Sequence, residues 1–117
     1  MSVTRTMKRV LLASALTLSF TAVSFAAYGQ DVKKGEAVYT AQKCSLCHQI
    51  AGKGNKASPL DGVGAKLSAD DIRQWITHPT EAAAKAKSTK KPPMPNRYSK
   101  LPPADIDSLV AYLASLK

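Results

Sequence analysis

The chain has 117 residues and carries 17 Lys and Arg against 8 Asp and Glu, for a net charge of +9. That length fits one small domain and excludes a multidomain enzyme, and the lack of a second long apolar run excludes a polytopic membrane protein. Aromatic residues make up only 6 % of the chain, so we expect something other than side chains to fill the centre of the fold.

The first segment has the pattern of a secretory signal peptide. Three basic residues precede an uncharged, largely apolar run over 10–27, and the small residues Ser24 and Ala26 precede a cleavage point. We predict a signal peptide at 1–26, with cleavage as late as residue 29, and a mature domain at 27–117. Cleavage removes Arg5, Lys8 and Arg9 and so lowers the net charge from +9 to +6.

An uncleaved membrane anchor is the alternative for this segment. The uncharged run ends only at Asp31, so it reaches the roughly 20 residues that span a bilayer. Its several Ser and Thr residues lower its hydrophobicity and favour cleavage. Both interpretations place the domain outside the cytoplasmic membrane, in the periplasm.

Residues 31–43 predict an amphipathic helix with Asp31 as its N-cap. Gly35 and Tyr39 are four positions apart and therefore share a face of this helix. Glycine inside a helix costs about 1 kcal/mol relative to alanine, so we expect a packing reason for Gly35.

The chain's two cysteines occur together, in Cys44-Ser45-Leu46-Cys47-His48. A Cys-x-x-Cys pair in an exported chain could form a disulfide, a thioredoxin-type redox pair or half of a zinc site. A zinc finger needs two closely spaced histidines, and a thioredoxin-like pair needs a βαβ pattern; the sequence has neither. His48, directly after the second cysteine, favours covalent attachment of a c-type haem.

The spacing of this motif has a physical reason. Positions i and i+3 share a face of a helical turn, so Cys44 and Cys47 can each form a thioether with one haem vinyl group. His48 is four residues after Cys44, on the same side, and can present a ring nitrogen to the iron.

The next two segments predict a loop and a helix. Residues 49–64 contain four of the six glycines together with Pro59, a composition typical of a loop. Ser68 and Asp71 then form a capping box that starts a helix over 68–77, which His78-Pro79 ends.

Residues 80–91 are basic and low in complexity. Glu81 and Lys85 could stabilise one helical turn as an i,i+4 pair. The composition favours a solvated, mobile surface segment instead.

Met94 lies in the second chemical motif, Lys91-Pro92-Pro93-Met94-Pro95. Prolines fix φ, so this loop is stiff and presents Met94 in one direction. The other two methionines belong to the leader. A lone methionine is usually core filler, but filler rarely stands between prolines outside a helix.

The last predicted helix covers residues 103–117, with proline in its first turn. Its apolar stripe is formed by Ile106, Leu109, Val110, Leu113 and Leu116. The pattern predicts that this stripe is buried in the core.

Cys44–His48, Met94 in its proline-rich loop and the Leu-Val-Ala-Tyr-Leu segment of the last helix resemble a class I cytochrome c, the small monohaem type. The resemblance covers residues 31–117, with the motifs in the family's order. It implies an all-α fold of three to five helices wrapped around one covalently bound haem c. It also implies His48 and Met94 as axial ligands and electron transfer without catalysis.

The resemblance assigns further residues around the haem. It implies that the carbonyl of Pro59 accepts from the second ring nitrogen of His48, and that Leu60 and Val63 pack on the haem. The indole of Trp75 would reach a haem propionate. Residue by residue, a simple turn at Pro59 and plain core packing of Trp75 remain as alternatives.

The helix ends carry one more expectation and one departure. In the family, the glycine matching Gly35 lets the first and last helices cross closely, with Tyr39 and Tyr112 packed beside it. A Ser, Thr or Asp cap often precedes the last helix, whereas Pro102 and Pro103 stand here. This departure leaves the start of that helix open.

The function expected from these features is one-electron transfer between periplasmic redox partners, with no enzymatic step. A cluster of basic residues surrounds the Met94 loop in sequence: Lys85, Lys87, Lys90, Lys91, Arg97 and Lys100. If the cluster surrounds the haem edge, it steers a monomeric carrier to acidic patches on a donor and an acceptor. The alternative is a basic face that only confers solubility.

Other functions remain open at this stage. The domain could be the haem c subunit of a larger sulfur-oxidising or terminal-oxidase complex, or a peroxidase or gas-binding protein in which Met94 leaves the iron. His78 could replace Met94 and give a bis-histidine haem. Export argues against a nucleic-acid partner, and membrane contact requires that the leader is retained.

Overall fold

The structure is a computed structural model that describes residues 23–117. Five helices account for most of it: α1 (Val23–Ala41), α2 (Val63–Lys66), α3 (Ala69–Thr77), α4 (Pro79–Lys85) and α5 (Pro103–Ala114). Two 3₁₀ turns cover Cys44–Leu46 and Asn96–Lys100, and a two-residue hairpin pairs β1 (Gln49–Ile50) with β2 (Lys53–Gly54). The predicted all-α fold class is confirmed.

The predicted signal peptide lies mainly outside the described residues, which begin at 23. Within the described part of the chain, no helix is both long and apolar enough to cross a membrane.

The first helix differs from its prediction at both ends. It begins at Val23 and ends at Ala41, so Asp31 lies inside α1 and the expected N-cap at Asp31 is wrong. Residues 23–30 contain no proline to break the helix, although Gly29 lowers its intrinsic stability there. At the other end, Lys43 adopts a left-handed conformation with φ 56°, which ends the helical path before the first cysteine.

Helices α1 and α5 cross in close contact at Gly35. A Cβ built there would overlap the Ser108 carbonyl and lie 2.6 Å from Cβ of Tyr112. One turn later, the rings of Tyr39 and Tyr112 meet edge to face, with centroids 5.8 Å apart and an interplanar angle of 65°. A salt bridge of 3.2 Å between Lys34 and Asp105 also links the two helices. The packing reason expected for Gly35 is confirmed.

Helix α3 begins where the capping box places it. The Asp71 backbone N–H donates to Ser68 Oγ at 3.1 Å, and the Ser68 hydroxyl donates to Asp71 Oδ2 at 2.9 Å. The helix ends at Thr77, with His78 as its C-cap, as predicted.

The segment after His78 begins with helix α4, so the helical turn left as the alternative at Glu81–Lys85 is present, while most residues of 80–91 are exposed, as predicted. Pro79 occupies the first turn, where its missing N–H costs nothing, and the side chain of Ala82 is buried against the fold. Lys85 Nζ lies 3.4 Å from Asp71 of α3, so its partner is not the expected Glu81.

Helix α5 begins at Pro103, which settles the start that the two prolines left open. Its predicted stripe is buried except for Leu116, which is partly buried beyond the helix end. The stripe joins residues of α1, α3 and the second 3₁₀ turn in one core: Val38, Tyr39, Ile72, Ile76, Tyr98, Ile106, Leu109, Val110 and Leu113.

Candidate functional site

An apolar cavity of about 370 Å³ opens beside this core. Its volume falls within the range of small-molecule and cofactor sites. The cavity brings together all but one of the predicted site residues: Cys44, His48, Pro59, Leu60, Val63, Trp75 and Met94. The exception is Cys47, which is exposed and does not line the cavity.

The two cysteines and the histidine lie on one helical turn, as their spacing predicts. The backbone N–H groups of Cys47 and His48 donate to the carbonyl of Cys44 at 3.2 and 3.0 Å. The two thiols are not joined in a disulfide. Burial raises the pKa of the Cys44 thiol, although the Arg97 guanidinium opposes this shift, so the thiol is protonated at neutral pH.

The His48 ring is prepared as a metal ligand. Its Nδ1 lies 3.0 Å from the carbonyl oxygen of Ser58. A carbonyl oxygen only accepts, so Nδ1 carries the proton in this contact. Burial lowers the pKa of His48, while the bond to Ser58 opposes that shift. The neutral ring therefore keeps a free lone pair on Nε2, the form that binds a transition metal.

The residue that orients His48 is not the one expected. The resemblance implied that the His48 ring donates to the carbonyl of Pro59, but in the structure it donates to the carbonyl of Ser58. The Ser58 carbonyl also accepts from the Gln49 N–H at 3.3 Å, and the Leu60 N–H donates to the Gln49 carbonyl at 2.8 Å. This parallel pairing sets the register of the loop. Because successive carbonyls of an extended chain point to opposite sides, the Ser58 carbonyl faces His48 and the Pro59 carbonyl does not.

Asn55 holds the attachment turn, although the sequence analysis did not single it out. Its backbone N–H donates to the carbonyls of Ser45 and His48, both at 3.1 Å, and its side-chain amide donates to that of Leu46 at 3.2 Å. The approach is close because Gly54, at φ 105°, has no Cβ; one built there would overlap the His48 carbonyl. The adjacent Gly-Asn pair is the sequence signal that could have indicated this contact.

Met94 reaches the cavity from the proline-rich loop, as predicted, and is partly buried against the core. A hydrogen bond of 2.6 Å from Lys90 Nζ to the Ala57 carbonyl joins the Met94 loop to the loop that carries Ser58. The segments bearing Met94 and the His48 acceptor are thus tied together at the surface.

Trp75 and His78 lie at opposite ends of one helical turn but in different surroundings. Trp75 is half-buried and lines the cavity. His78 is exposed, contacts the Thr77 hydroxyl at 2.9 Å and does not line the cavity. The structure therefore brings Trp75, and not His78, to the site.

Several further cavity residues were not assigned to the site from sequence. Four of them are apolar residues of predicted helices, whose pattern predicts burial but not which part faces a cavity: Ile72, Ile76, Leu109 and Leu113. The other apolar members are Leu67, Ala86 and Tyr98, and the polar members are Tyr39, Ser58, Asp61 and Lys66.

These residues fit a covalently bound haem. The cavity wall is mainly apolar, and the free ring nitrogen of His48 and the thioether of Met94 belong to residues that line it. The thiols of Cys44 and Cys47 have the spacing that haem attachment requires.

Comparison with known proteins agrees with this geometry. The family model Cytochrome c matches residues 32–117, from the middle of α1 through residue 117. No curated protein and no solved structure gives a match. Because the match covers most of the chain, the chain belongs to the cytochrome c family, whose members bind haem c and transfer electrons.

Proposed function

We propose that the chain is an exported one-electron carrier with one c-type haem, attached through Cys44 and Cys47 and ligated by His48 and Met94. One observation carries the proposal: Cys44, His48 and Met94, from three different segments, line the same apolar cavity. A bound haem supplies a one-electron iron couple.

The chain's own residues account for the rest of the chemistry. Ser58 fixes the His48 tautomer, which directs the unprotonated nitrogen to a metal and raises its basicity. The Met94 thioether is a soft ligand that favours the ferrous state, and the apolar wall favours the state of lower charge. If His48 and Met94 both bound the iron, no position would remain there for a substrate, so the function would require no acid, base or nucleophile.

Met94 is a better candidate than His78 for the second ligand. Met94 lines the cavity, whereas His78 is exposed and caps the end of α3. Ligation by His78 would require the α3–α4 junction to rearrange, although Pro79 and Ala82 are buried there.

The surface around the cysteines supports transient docking to an acidic redox partner. Leu46, between the two cysteines, is a large apolar side chain with 67 % of its surface exposed. Arg97 is near enough to alter the Cys44 pKa, and exposed Lys87 and Lys91 flank the Met94 loop. A small apolar contact with a basic rim suits a brief electron-transfer encounter, and we propose a monomer.

The test is expression of the full chain, with its leader, in a host that attaches haem c in the periplasm. We expect a periplasmic product whose mass includes one haem and lacks the leader. Cys44→Ala and Cys47→Ala should each lose one thioether, while Ser45→Ala, between them, should retain full attachment. Product without covalent haem, or retained in the cytoplasm, would contradict the proposal.

A further inference from the structure

Arg97 holds its positive charge against a side chain of the cavity wall. Its guanidinium group donates to the Tyr98 hydroxyl at 2.9 Å, and its Cζ lies 4.9 Å from the centre of the Tyr98 ring. Tyr98 is itself buried, with 8 % of its surface exposed, and it lines the cavity. An exposed, flexible side chain is thus anchored by two contacts to a residue packed in the core.

The anchored charge lies beside the two cysteines. Cys44 packs against the core cluster that contains Tyr98, and both residues line the cavity. Burial raises the pKa of the Cys44 thiol, and the Arg97 charge is the first effect that opposes this shift. In turn, the hydrogen bond to Tyr98 raises the pKa of Arg97, and Cys44 and Cys47 add to that increase. The guanidinium is therefore always charged and is close to both proposed points of haem attachment.

No carboxylate compensates the charge of Arg97. Within residues 23–117, no Asp or Glu lies within salt-bridge distance of its guanidinium. Lys85, in the same basic cluster, is in contrast paired with Asp71. Lys90 of the cluster donates to the Ala57 carbonyl, which is not part of the cavity wall. Arg97 thus differs from both lysines in holding an uncompensated charge on a residue that lines the cavity.

A fixed cation beside a redox centre favours the reduced state. When ferrous iron gives one electron to a one-electron acceptor, the site gains one positive charge, and no bond forms or breaks. A positive charge nearby opposes that gain. We propose that Arg97, anchored on Tyr98, raises the reduction potential of the protein by stabilising the ferrous state of a haem attached at Cys44 and Cys47. This inference rests on the proposed function.

The test is a spectroelectrochemical titration of the haem-loaded wild-type protein and Arg97→Gln, with Lys100→Gln as the matched control. Lys100 is exposed in the same 3₁₀ turn, and its replacement removes the same charge. At a fixed solution potential, the ratio of ferrous to ferric protein should fall about threefold in Arg97→Gln, the size of a solvent-screened interaction between unit charges. Lys100→Gln should change the ratio by less than about 1.5-fold. Arg97→Lys, which keeps the charge, should stay closer to wild type than Arg97→Gln.

Salt distinguishes an effect of charge from an effect of packing. Because counterions screen exposed charges, the difference between wild type and Arg97→Gln should shrink as ionic strength rises. A wild-type ratio in Arg97→Gln, an equal shift in Lys100→Gln, or a difference that does not depend on salt would each overturn the inference. Covalent haem and the iron–methionine band are measured first, and their absence from the wild-type protein would instead be a failure of the proposed function.

Discussion

At the scale of single residues, Gly35 decides how closely α1 and α5 approach. A Cβ at this position would overlap backbone atoms of Ser108 and Cβ of Tyr112, which cannot move without a shift of helix α5. The haem cavity lies beside these helices, with Tyr39 and Leu109 in its wall. A wider crossing would therefore disturb the cavity as well as the core.

Gly35→Ala should lower the free energy of unfolding of the haem-loaded protein by about 1–3 kcal/mol, because the added methyl group overpacks the crossing. Guanidinium unfolding followed by circular dichroism measures this. Lys33→Ala, at an exposed position of the same helix, should change stability by less than about 0.5 kcal/mol. Equal stability of Gly35→Ala and wild type would contradict the close crossing.

Residue identity indicates the chemically distinctive residues of the cavity better than the groups that support them. Cys44, His48 and Met94 carry chemistry that few other residues supply, so sequence alone indicates them. The orientation of His48 depends on a backbone carbonyl, which every residue has. Whether Ser58 or Pro59 provides it follows from the register of the Gln49 pairing, and that register is a property of the folded loop.

At the scale of elements, α3 shows a helix start encoded by two residues. Ser68 caps the N-terminus and the Asp71 carboxylate accepts from its hydroxyl. The Ser68 hydrogen bond, and next the charge of Lys85, lower the pKa of Asp71. Because the folded pKa is depressed, this contribution to stability is present at neutral pH and is lost as pH falls through the folded value.

Ser68→Ala should destabilise the protein by about 1 kcal/mol at neutral pH through loss of the cap. The difference from wild type should shrink in acid, where Asp71 is protonated and its bond to Ser68 is weakened. Thermal unfolding across pH measures both effects, and Ser68→Thr, which keeps a hydroxyl, should recover most of the stability. A difference that is constant with pH would contradict the coupling of Asp71 to Ser68.

Sequence patterns located α3 and α5 well because caps and apolar stripes are local signals. They did not locate α4, because the basic composition of residues 80–91 favours a solvated segment, whereas Pro79 and Ala82 are buried by contacts with the rest of the fold. The early start of α1 is not evident from the sequence, because Asp31 is a residue type that favours the N-cap position, whereas in the structure it lies inside the helix. Both differences arise where contacts with the rest of the fold override the preference of the local sequence.

At the scale of the whole molecule, an apolar cavity is combined with a strongly basic chain. The net charge of +9, or +6 without the leader's three cations, gives a long-range attraction for anions. Three members of the basic cluster already contact the protein: Lys85 with Asp71, Lys90 with Ala57 and Arg97 with Tyr98. Lys87, Lys91 and Lys100 are exposed and are the cluster's candidates for partner contact.

Oxidation of the ferrous protein by ferricyanide, an anion, should slow as ionic strength rises, since salt screens opposite charges. At low salt, Lys91→Glu should reduce the rate about two- to fivefold. Lys33→Glu on α1 changes the net charge equally and should have a smaller effect. Stopped-flow absorbance measures the rates; equal slowing by both variants would contradict docking near the Met94 loop.

The most direct test of the account is the absorption spectrum of the haem-loaded protein in the ferric and ferrous states, followed by addition of carbon monoxide to the ferrous form. Ligation by His48 and Met94 predicts low-spin spectra, an iron–methionine charge-transfer band in the ferric state and no response to carbon monoxide. A low-spin iron without that band would contradict Met94 as the ligand. A high-spin ferrous form that binds carbon monoxide would contradict the closed site and, with it, the carrier function.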